Sequence, residues 1–448
     1  MLLDSTPIDP NLKTYNLNTD QELRIECNSD NKLAIQLIHG TCELYGSELL
    51  IDKQYIFNKS QKFALYTYHG CTLSIHGLPA SIYTSSESPM NSYINTHSAL
   101  QQLRKKASDT VRVPGVYASQ GPRALIVGPN DSGKSTLAKI LCNYAVRSLH
   151  QPIFIDLDPS NNQISIPGSI CATVIDQPID ITIADQSLQI KQPLCYYYGH
   201  INTTTAIDIY DKQIESLSEL INERCNTVEQ SRISGCIMKM SSNTERATTN
   251  NNTDISSKSG YDCIIHAANS FNVDVIIVLG DERLYNELKS DNNIKHSQVI
   301  KLNKSGGVVV RSDKEKNLIR NQLIRQYFYG ISNELSPHTQ VIHWREIEIY
   351  RLGGGYIAPN TALPIGGKRL VNQNKLTRIY PSNELLHSCM AISHTNAVDQ
   401  ILNVNVAGYV YCSAVDMNKK TITILTPAPG QLPSKLLLYG TVKWLDTT

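Results

Sequence analysis

The stretch ALIVGPNDSGKSTLAKIL, residues 124–141, constrains the fold more than any other part of the chain. Its apolar start, residues 124–127, is typical of a buried β-strand, and a helix-like pattern follows Lys134. Between them, residues 128–135 match the pattern G-x-x-x-x-G-K-[ST]. This order of strand, loop and helix predicts a P-loop, in an α/β domain with a doubly wound parallel sheet.

The loop residues are suited to holding phosphate. Glycines let backbone N–H groups approach the phosphates, Lys134 can reach the β- and γ-oxygens, and Ser135 can offer its hydroxyl to Mg²⁺. The alternative is a glycine turn that precedes a helix by chance, but the correct order of elements favours phosphate binding. The predicted nucleotide-binding residues of the loop are Gly128, Asp131, Ser132, Gly133, Lys134, Ser135 and Thr136.

Two carboxylates follow a second apolar strand, in the run IFIDLDPS. Asp156 and Asp158 are two residues apart, so they share one side of the strand. A carboxylate at such a strand tip can help to hold Mg²⁺ or accept a proton from an attacking hydroxyl. The alternative is an aspartate that caps the turn before Pro159.

A basic, glycine-containing run, KLNKSGGVVVRSDKEKN, lies between a predicted strand and a predicted helix. Such a loop can close over a triphosphate as a lid and place the cations of Arg311 and Lys316 on it. The alternative is a solvated surface loop.

Composition along the chain indicates three parts. Residues 1–100 read as short alternating strands in a β-rich domain, and a polar connector with Arg104, Lys105 and Lys106 leads out of it. Residues 101–335 form the α/β domain, and residues 336–448 return to strand-like runs in a second β-rich domain. Within the α/β domain, residues 240–260 are rich in Ser, Thr and Asn and predict a disordered surface insert.

The α/β domain alternates strands with helices. The predicted strands are residues 124–127, 153–157, 235–238, 273–279 and 299–302, and the helices follow Lys134, Asp211, Tyr261, Glu282 and Lys316.

Charge and cysteine usage exclude some classes of protein. The 41 basic and 40 acidic residues leave a net charge of +1, so contact with RNA or DNA must be local. The 11 cysteines contain no Cys-x-x-Cys pair, which favours reduced, buried thiols over a zinc ribbon or a disulfide scaffold. We expect no membrane association, because no apolar stretch approaches the length of a transmembrane helix.

Several long strings carry a resemblance to a known family: GPNDSGKST, FIDLDPS, SIPGSI, VDVIIVLGDERLYNEL, KSGGVVVRS, IRQYFYG and TPAPGQLP. They resemble the polyribonucleotide 5'-hydroxyl kinase family, whose fungal members are the Clp subunit of mRNA cleavage factor IA. The resemblance implies the same three-part layout and a nuclear location. It also implies a scaffold subunit of cleavage factor IA that contacts RNA polymerase II as partner, together with other 3'-end processing subunits. Contact with pre-mRNA could then be indirect.

The same resemblance implies roles for single residues. It implies ATP and Mg²⁺ as cofactors, with Glu22 and Lys62 on the adenine side of the site. A glutamate can accept from the adenine amino group, and a lysine stem can pack on the ring. It also implies that Lys134, Ser135 and Thr136 handle phosphate and Mg²⁺. Asp158, also a candidate Mg²⁺ ligand, would be the general base and Arg311 a lid arginine.

The chain departs from the active members of this family on the acceptor side. Where they have Asp-Val-Gly-Gln-Gly, this chain has DPSNN at residues 158–162. Lys316 replaces a second lid arginine and loses its planar fork. The tryptophan that stacks on RNA has no counterpart between residues 236 and 260, because both tryptophans, Trp344 and Trp444, lie elsewhere.

These departures favour an ATP-binding, non-catalytic subunit of the cleavage and polyadenylation machinery in which ATP acts structurally. An active ATP-dependent RNA 5'-hydroxyl kinase is the alternative, and an unrelated P-loop ATPase or GTPase is a third hypothesis.

Overall fold

A computed structural model describes residues 12–27, 32–58, 61–109, 119–182, 193–243, 259–294, 296–353 and 376–445. Most of the insert predicted as disordered, residues 244–258, lies outside the described residues.

The N-terminal part consists of two antiparallel sheets that pack face to face. Its strands are β1 Leu12–Leu17, β2 Gln21–Glu26, β3 Leu33–Gly40, β4 Glu43–Leu44, β5 Ser47–Glu48, β6 Gln54–Phe57, β7 Lys62–Thr67, β8 Cys71–His76 and β9 Ser81–Ser85. One sheet has the order β1-β8-β3-β6 and the other β5-β4-β7-β2-β9. Alternate residues point inward, so that Leu33 and Ile35 of one sheet meet Leu23 and Leu65 of the other in a single core. The predicted β-rich N-terminal domain is confirmed.

Helix α1, Met90–Asp109, follows this sandwich, where composition predicts a polar connector. That interpretation is wrong, because it depends on composition and overlooks the spacing of the residues that α1 buries. Tyr93, Leu100, Arg104 and Ala107 are among them, and they recur three to four residues apart or at multiples of that spacing. The Arg104 guanidinium is fully buried and donates from Nε to the backbone oxygen of Ser234 at 3.0 Å. The predicted limit at residue 100 falls inside α1, and the domain limits stay predictions.

The central part contains a seven-stranded sheet. Its strands are β10 Arg123–Val127, β11 Ile153–Leu157, β12 Ser169–Val174, β13 Leu194–Tyr197, β14 Cys236–Met240, β15 Val275–Leu279 and β16 Gln298–Leu302, in the order β13-β12-β11-β14-β10-β15-β16. The five strands from β11 to β16 in that order are parallel, which confirms the predicted α/β fold. The sequence pattern did not predict β12 and β13, which extend the sheet beyond β11. Strand β12 is antiparallel to both of its neighbours, β11 and β13.

Six helices accompany this sheet in the described residues: α2 Lys134–Arg147, α3 Ile207–Thr227, α4 Glu229–Ser234, α5 Gly260–Ser270, α6 Glu282–Lys289 and α7 Asp313–Tyr329. No helix in the described ranges is both long enough and apolar enough to cross a membrane.

The C-terminal part forms a third sheet, in the order β17-β22-β21-β20-β23-β18-β19. Its strands are β17 His338–His343, β18 Glu348–Arg351, β19 Thr377–Ile379, β20 Ser388–Ser393, β21 Val406–Asp416, β22 Thr421–Thr426 and β23 Leu436–Lys443. It shares a core with the central part: Trp444, 2% exposed, stacks on Phe328 of α7 with ring centroids 5.7 Å apart. Trp444 is therefore an internal packing residue and offers no surface on which a base could stack.

Candidate nucleotide site

The phosphate loop lies between β10, inside the parallel sheet, and α2. Gly133 immediately precedes α2 with φ 95°, and Gly128 has φ 151°, where a Cβ would lie 2.6 Å from the Leu279 carbonyl oxygen. Both positions therefore need glycine. Asp131 adopts a left-handed backbone with φ 52°, which aspartate tolerates better than most residues. The local sequence thus specifies a tight turn, and the backbone N–H groups of this turn lie directly before the N-terminus of α2.

The Lys134 ammonium is held inside this loop. Its Nζ donates to the carbonyl oxygens of Gly128 and Pro129 at 2.8 and 2.7 Å, and to the Ser242 hydroxyl at 2.7 Å. Burial lowers the pKa of Lys134 to about 8, an effect that the nearby Asp158 carboxylate opposes. Ser242 follows β14 by two residues, so two separate segments position this lysine.

The Ser132 hydroxyl is also buried in the loop. Within the part of the chain that the structure describes, its oxygen has no hydrogen-bond partner. A buried polar atom usually has one, and a phosphate oxygen at the loop would supply it. The loop therefore fits a phosphate group.

A cleft of about 1800 Å³ opens beside the loop. Its walls come from the N-terminal sandwich, the phosphate loop and a segment between β16 and α7. Of the predicted site residues, those that line it are Lys62, Asp131, Ser132, Gly133, Lys134, Ser135, Thr136, Asp158 and Arg311. Gly128 lies at the base of the loop. The tertiary structure thus brings together residues from all three stretches that the sequence singled out.

Glu22 is placed differently from the other predicted adenine-side residue. Lys62 lines the cleft and pairs with Glu26 at 2.8 Å. The Glu22 side chain is buried, 3% exposed, and bonds the guanidinium of Arg24, which itself lines the cleft. Arg24 also donates to the Glu87 backbone oxygen at 2.8 Å. The structure therefore places Glu22 behind Arg24, and its predicted contact with adenine stays a prediction.

Residues 303–312, which we call the lid segment, cross from β16 to α7 over the phosphate loop. A methyl of Val308 lies 3.3 Å from where a Cβ of Gly133 would be, and the Arg311 N–H donates to Asp131 Oδ2 at 3.3 Å. The predicted basic loop thus contacts the phosphate loop and is not a purely solvated segment. Lys316, predicted in the same loop, lies in the first turn of α7 and pairs with Asp131.

The carboxylates of Asp156 and Asp158, the carboxylate pair, lie at the carboxyl end of β11. Asp156 is fully buried, and its burial raises its pKa to about 6 against the opposing effect of Lys239. Lys239 Nζ is 2.9 Å from Asp156 Oδ2 and 3.9 Å from Asp158 Oδ2. Asp158 Oδ1 accepts from the Ser160 N–H at 3.0 Å and from the Ser160 hydroxyl at 2.7 Å.

Sequence reasoning missed Lys239. The available signal was a lysine inside the apolar strand CIMKM, since a charged residue in a buried strand requires an opposite charge nearby. For Mg²⁺ the carboxylate pair fits poorly, because Asp158 Oδ1 is engaged by Ser160 and both side chains lie close to an ammonium group. Ser135, half-buried on the cleft, remains a suitable hydroxyl ligand.

The turn after Asp158 is held by the buried amide of Asn162. Its Nδ2 donates to the Ser169 carbonyl at 2.9 Å, and its Oδ1 accepts from the N–H groups of Ile164 and Ser165, each at 2.9 Å. Asn162 thus fixes the turn that follows the carboxylate pair.

A phosphate loop at the carboxyl edge of a parallel sheet, with an inward lysine and a cleft at its mouth, defines a P-loop nucleotide-binding protein. Three family models then match almost the whole chain: the N-terminal β-sandwich domain of polyadenylation factor at residues 16–107, the CLP1 P-loop of mRNA cleavage and polyadenylation factor at 128–330, and the pre-mRNA cleavage complex II protein Clp1 at 335–446. The chain belongs to the Clp1 family.

Relatives along the full length support this assignment. The protein CLP1 homolog of Arabidopsis thaliana is 38% identical over 449 residues, covering 100% of this chain and 97% of the relative. The human polyribonucleotide 5'-hydroxyl-kinase Clp1 is 34% identical over 434 residues, covering 96% of each. The solved wild-type Clp1p–Pcf11p complex shares the fold, with a TM-score of 0.80 at 23% identity over 98% of this chain and 99% of the solved one. The hypothesis of an unrelated P-loop ATPase or GTPase is therefore wrong.

Proposed function

We propose that this chain is an ATP-binding, non-catalytic subunit of the nuclear mRNA cleavage and polyadenylation factor, required for pre-mRNA 3'-end cleavage. ATP would act as a structural ligand, because the cleft has one wall on the N-terminal sandwich and another on the phosphate loop. A ligand that binds only the folded form contributes about 4 kcal/mol when its concentration is a thousandfold above Kd. Mg²⁺ would accompany the phosphates through Ser135.

The state of Asp158 carries the non-catalytic part of this proposal. A general base must accept a proton from the acceptor hydroxyl through an accessible oxygen. Asp158 is 4% exposed, one of its oxygens accepts two hydrogen bonds from Ser160, and the other lies 3.9 Å from the Lys239 ammonium. The chain also has no tryptophan between residues 236 and 260 to stack on RNA.

The partner proposed here is a scaffold subunit of the cleavage factor that contacts RNA polymerase II, with other 3'-end processing subunits around it. It is supported by the solved relative, which is a complex of Clp1p with Pcf11p. Pre-mRNA contact would then be indirect, and the location nuclear.

The test is to purify the full chain, denature it and identify the released nucleotide by mass spectrometry. We expect intact ATP at close to one per chain after gel filtration, and no ATP in Lys134→Ala, because that lysine occupies the centre of the phosphate loop. Lys314→Ala, an exposed lysine of α7, is the matched control and should retain ATP. Nucleotide-free wild-type protein of normal stability, or bound ADP formed by turnover, would contradict the proposal.

An active ATP-dependent RNA 5'-hydroxyl kinase is the second candidate function. Lys134, Asp158 and Arg311 line one cleft, which is the arrangement such a reaction requires, and several relatives carry the name polyribonucleotide 5'-hydroxyl-kinase. Transfer of labelled γ-phosphate from ATP to a 5'-hydroxyl oligoribonucleotide distinguishes the two functions. Robust transfer that Asp158→Asn abolishes would establish the kinase and eliminate the non-catalytic subunit.

A further inference from the structure

Lys239 occupies the position beside the phosphate loop where the central strands end. It is the fourth residue of β14 and lies in register with Asp156 on β11 and with Ile126 on β10, two residues before the loop begins at Gly128. Its side chain is fully buried. An unpaired ammonium group at such a depth would be very costly, so its partners define its role.

Three oxygen atoms surround the Lys239 ammonium. The distances from Nζ are 2.6 Å to the Asn161 carbonyl, 2.9 Å to Asp156 Oδ2 and 3.9 Å to Asp158 Oδ2. The carbonyl oxygen comes from the turn that follows the carboxylate pair. The Lys239 ammonium thus lies close to both carboxylates and to the turn that follows them, as a bound metal cation would.

Three of the four carboxylate oxygens of the pair also accept hydrogen bonds from the neighbouring backbone. Asp156 Oδ1 accepts from the Asp158 N–H at 3.0 Å, Asp156 Oδ2 accepts from the Gln163 N–H at 2.9 Å, and Asp158 Oδ1 accepts from Ser160. A divalent ion at these three oxygens would have to displace their donors, and one at Asp158 Oδ2 would lie close to the Lys239 ammonium, which opposes its binding.

The charges at this position are balanced by the chain itself. Lys134 and Lys239 provide two positive charges, and Asp156 and Asp158 provide two negative charges. Without Lys239 the group would carry a net negative charge and would repel a triphosphate unless a divalent cation accompanied it.

We propose that the Lys239 ammonium is the resident cation of the carboxylate pair, so that this chain binds a nucleoside triphosphate largely independently of a divalent cation. The proposal rests on the nucleotide site proposed above. The phosphates would be held by Lys134, Arg311 and the loop N–H groups.

The experiment compares the affinity of the nucleotide-stripped full chain for ATP in excess MgCl₂ and in excess EDTA, by calorimetry. We expect the two Kd values of the wild type to agree within about threefold. In Lys239→Met, which has a similar length and no charge, affinity in EDTA should fall by about tenfold or more, while Mg²⁺ restores most of it. Lys314→Met removes an exposed lysine of α7 that does not line the cleft and should leave the Mg²⁺-to-EDTA ratio unchanged.

A second variant covers the case in which Lys239→Met does not fold, because loss of one partner of a buried ion pair is strongly destabilising. The double variant Asp156→Asn with Lys239→Met removes both charges of the closest pair and leaves Asp158 without its ammonium neighbour. Lys134 and Asp158 then keep one charge of each sign, so the affinities of the double variant in MgCl₂ and in EDTA should agree within about threefold, as in the wild type.

The result that overturns the proposal is a wild-type chain, or a charge-balanced double variant, whose affinity for ATP falls by about tenfold or more in EDTA. This outcome is distinct from failure of the proposed function. Phosphate transfer to RNA by a wild type that binds ATP equally well in EDTA would eliminate the non-catalytic subunit and support the role of Lys239. ATP binding that requires Mg²⁺, without phosphate transfer to RNA, would eliminate the proposed role of Lys239 and leave the non-catalytic subunit standing.

Discussion

The Asp131 carboxylate of the phosphate loop lies 3.2 Å from the Lys316 ammonium in the first turn of α7. The same carboxylate oxygen accepts the Arg311 N–H of the lid segment at 3.3 Å. One residue of the loop therefore contacts both the lid segment and the helix that follows it. We therefore expect this contact to slow the release of a nucleotide held at the loop.

We expect Asp131→Asn to speed nucleotide release. Asparagine tolerates the left-handed backbone of this position, φ 52°, so the change removes charge without straining the loop. A partly exposed ion pair contributes about 0.5–1 kcal/mol, which corresponds to a roughly two- to fivefold faster release of a fluorescent ATP analogue in stopped-flow experiments. Lys316→Met should behave alike, and Lys314→Met, two residues earlier in the same helix, should not. An unchanged rate in both variants at low salt would show that this contact does not retain the ligand.

A double-mutant cycle on Arg24 and Glu22 tests the arrangement behind the cleft. Arg24→Met leaves the Glu22 carboxylate buried without its partner, so we expect a loss of about 3 kcal/mol in the free energy of unfolding. Arg24→Met combined with Glu22→Gln should recover most of this loss, because no uncompensated charge then remains. Urea denaturation measures all four proteins. Additive losses in the double variant would refute a direct role of this pair in stability.

We expect Asn162→Ala to destabilise the turn after Asp158. The substitution removes bonds to the Ser169 carbonyl and to the N–H groups of Ile164 and Ser165. Buried backbone groups that lose their partners cost roughly 1–3 kcal/mol, and the loss should appear in the thermal midpoint. Asn161→Ala keeps the backbone oxygen that Lys239 uses and should change stability by less than about 0.5 kcal/mol. Equal effects of the two substitutions would contradict this assignment.

His97 of α1 should make the fold sensitive to mild acid. Burial lowers its pKa to about 4, and the positive charges of Arg104, His150 and Arg147 act in the same direction. The unfolded chain, with a histidine pKa near about 6.5, binds a proton between roughly pH 6.5 and 4 that the folded chain does not. The stability contributed by neutral His97 is therefore complete above about pH 6.5 and is lost as pH falls toward 4.

The expected size of this loss is about 2 kcal/mol, allowing for partial screening by solvent. His97→Gln should flatten the dependence of the unfolding free energy on pH over that range. His39→Gln, on an exposed strand position, should leave the slope as in the wild type. A slope that His97→Gln does not alter would assign the acid sensitivity to other groups.

Local pattern is sufficient for most elements that carry the site. The run that ends at Val127, the glycines of the loop and the periodicity after Lys134 predict strand, turn and helix correctly, because these depend on residues close together in sequence. The same kind of periodicity is present in α1, although its polar composition predicts a connector. Composition also gives no indication that Arg104 is fully buried.

The amino-acid pattern was enough to specify the phosphate loop, the α/β class, the flanking β-rich parts and the lack of a tryptophan between residues 236 and 260. Which charged side chains form pairs is evident only from the tertiary structure. It places Lys239 beside Asp156, Lys316 beside Asp131, and Glu22 behind Arg24. The first two contacts join residues distant in the chain. The first depends on the pairing and register of β11 and β14, and the second on the packing of α7 beside the phosphate loop. The third depends on which way two side chains of one strand turn. Periodicity along a single segment indicates which face is buried, but it contains no information about the partner that this face will meet.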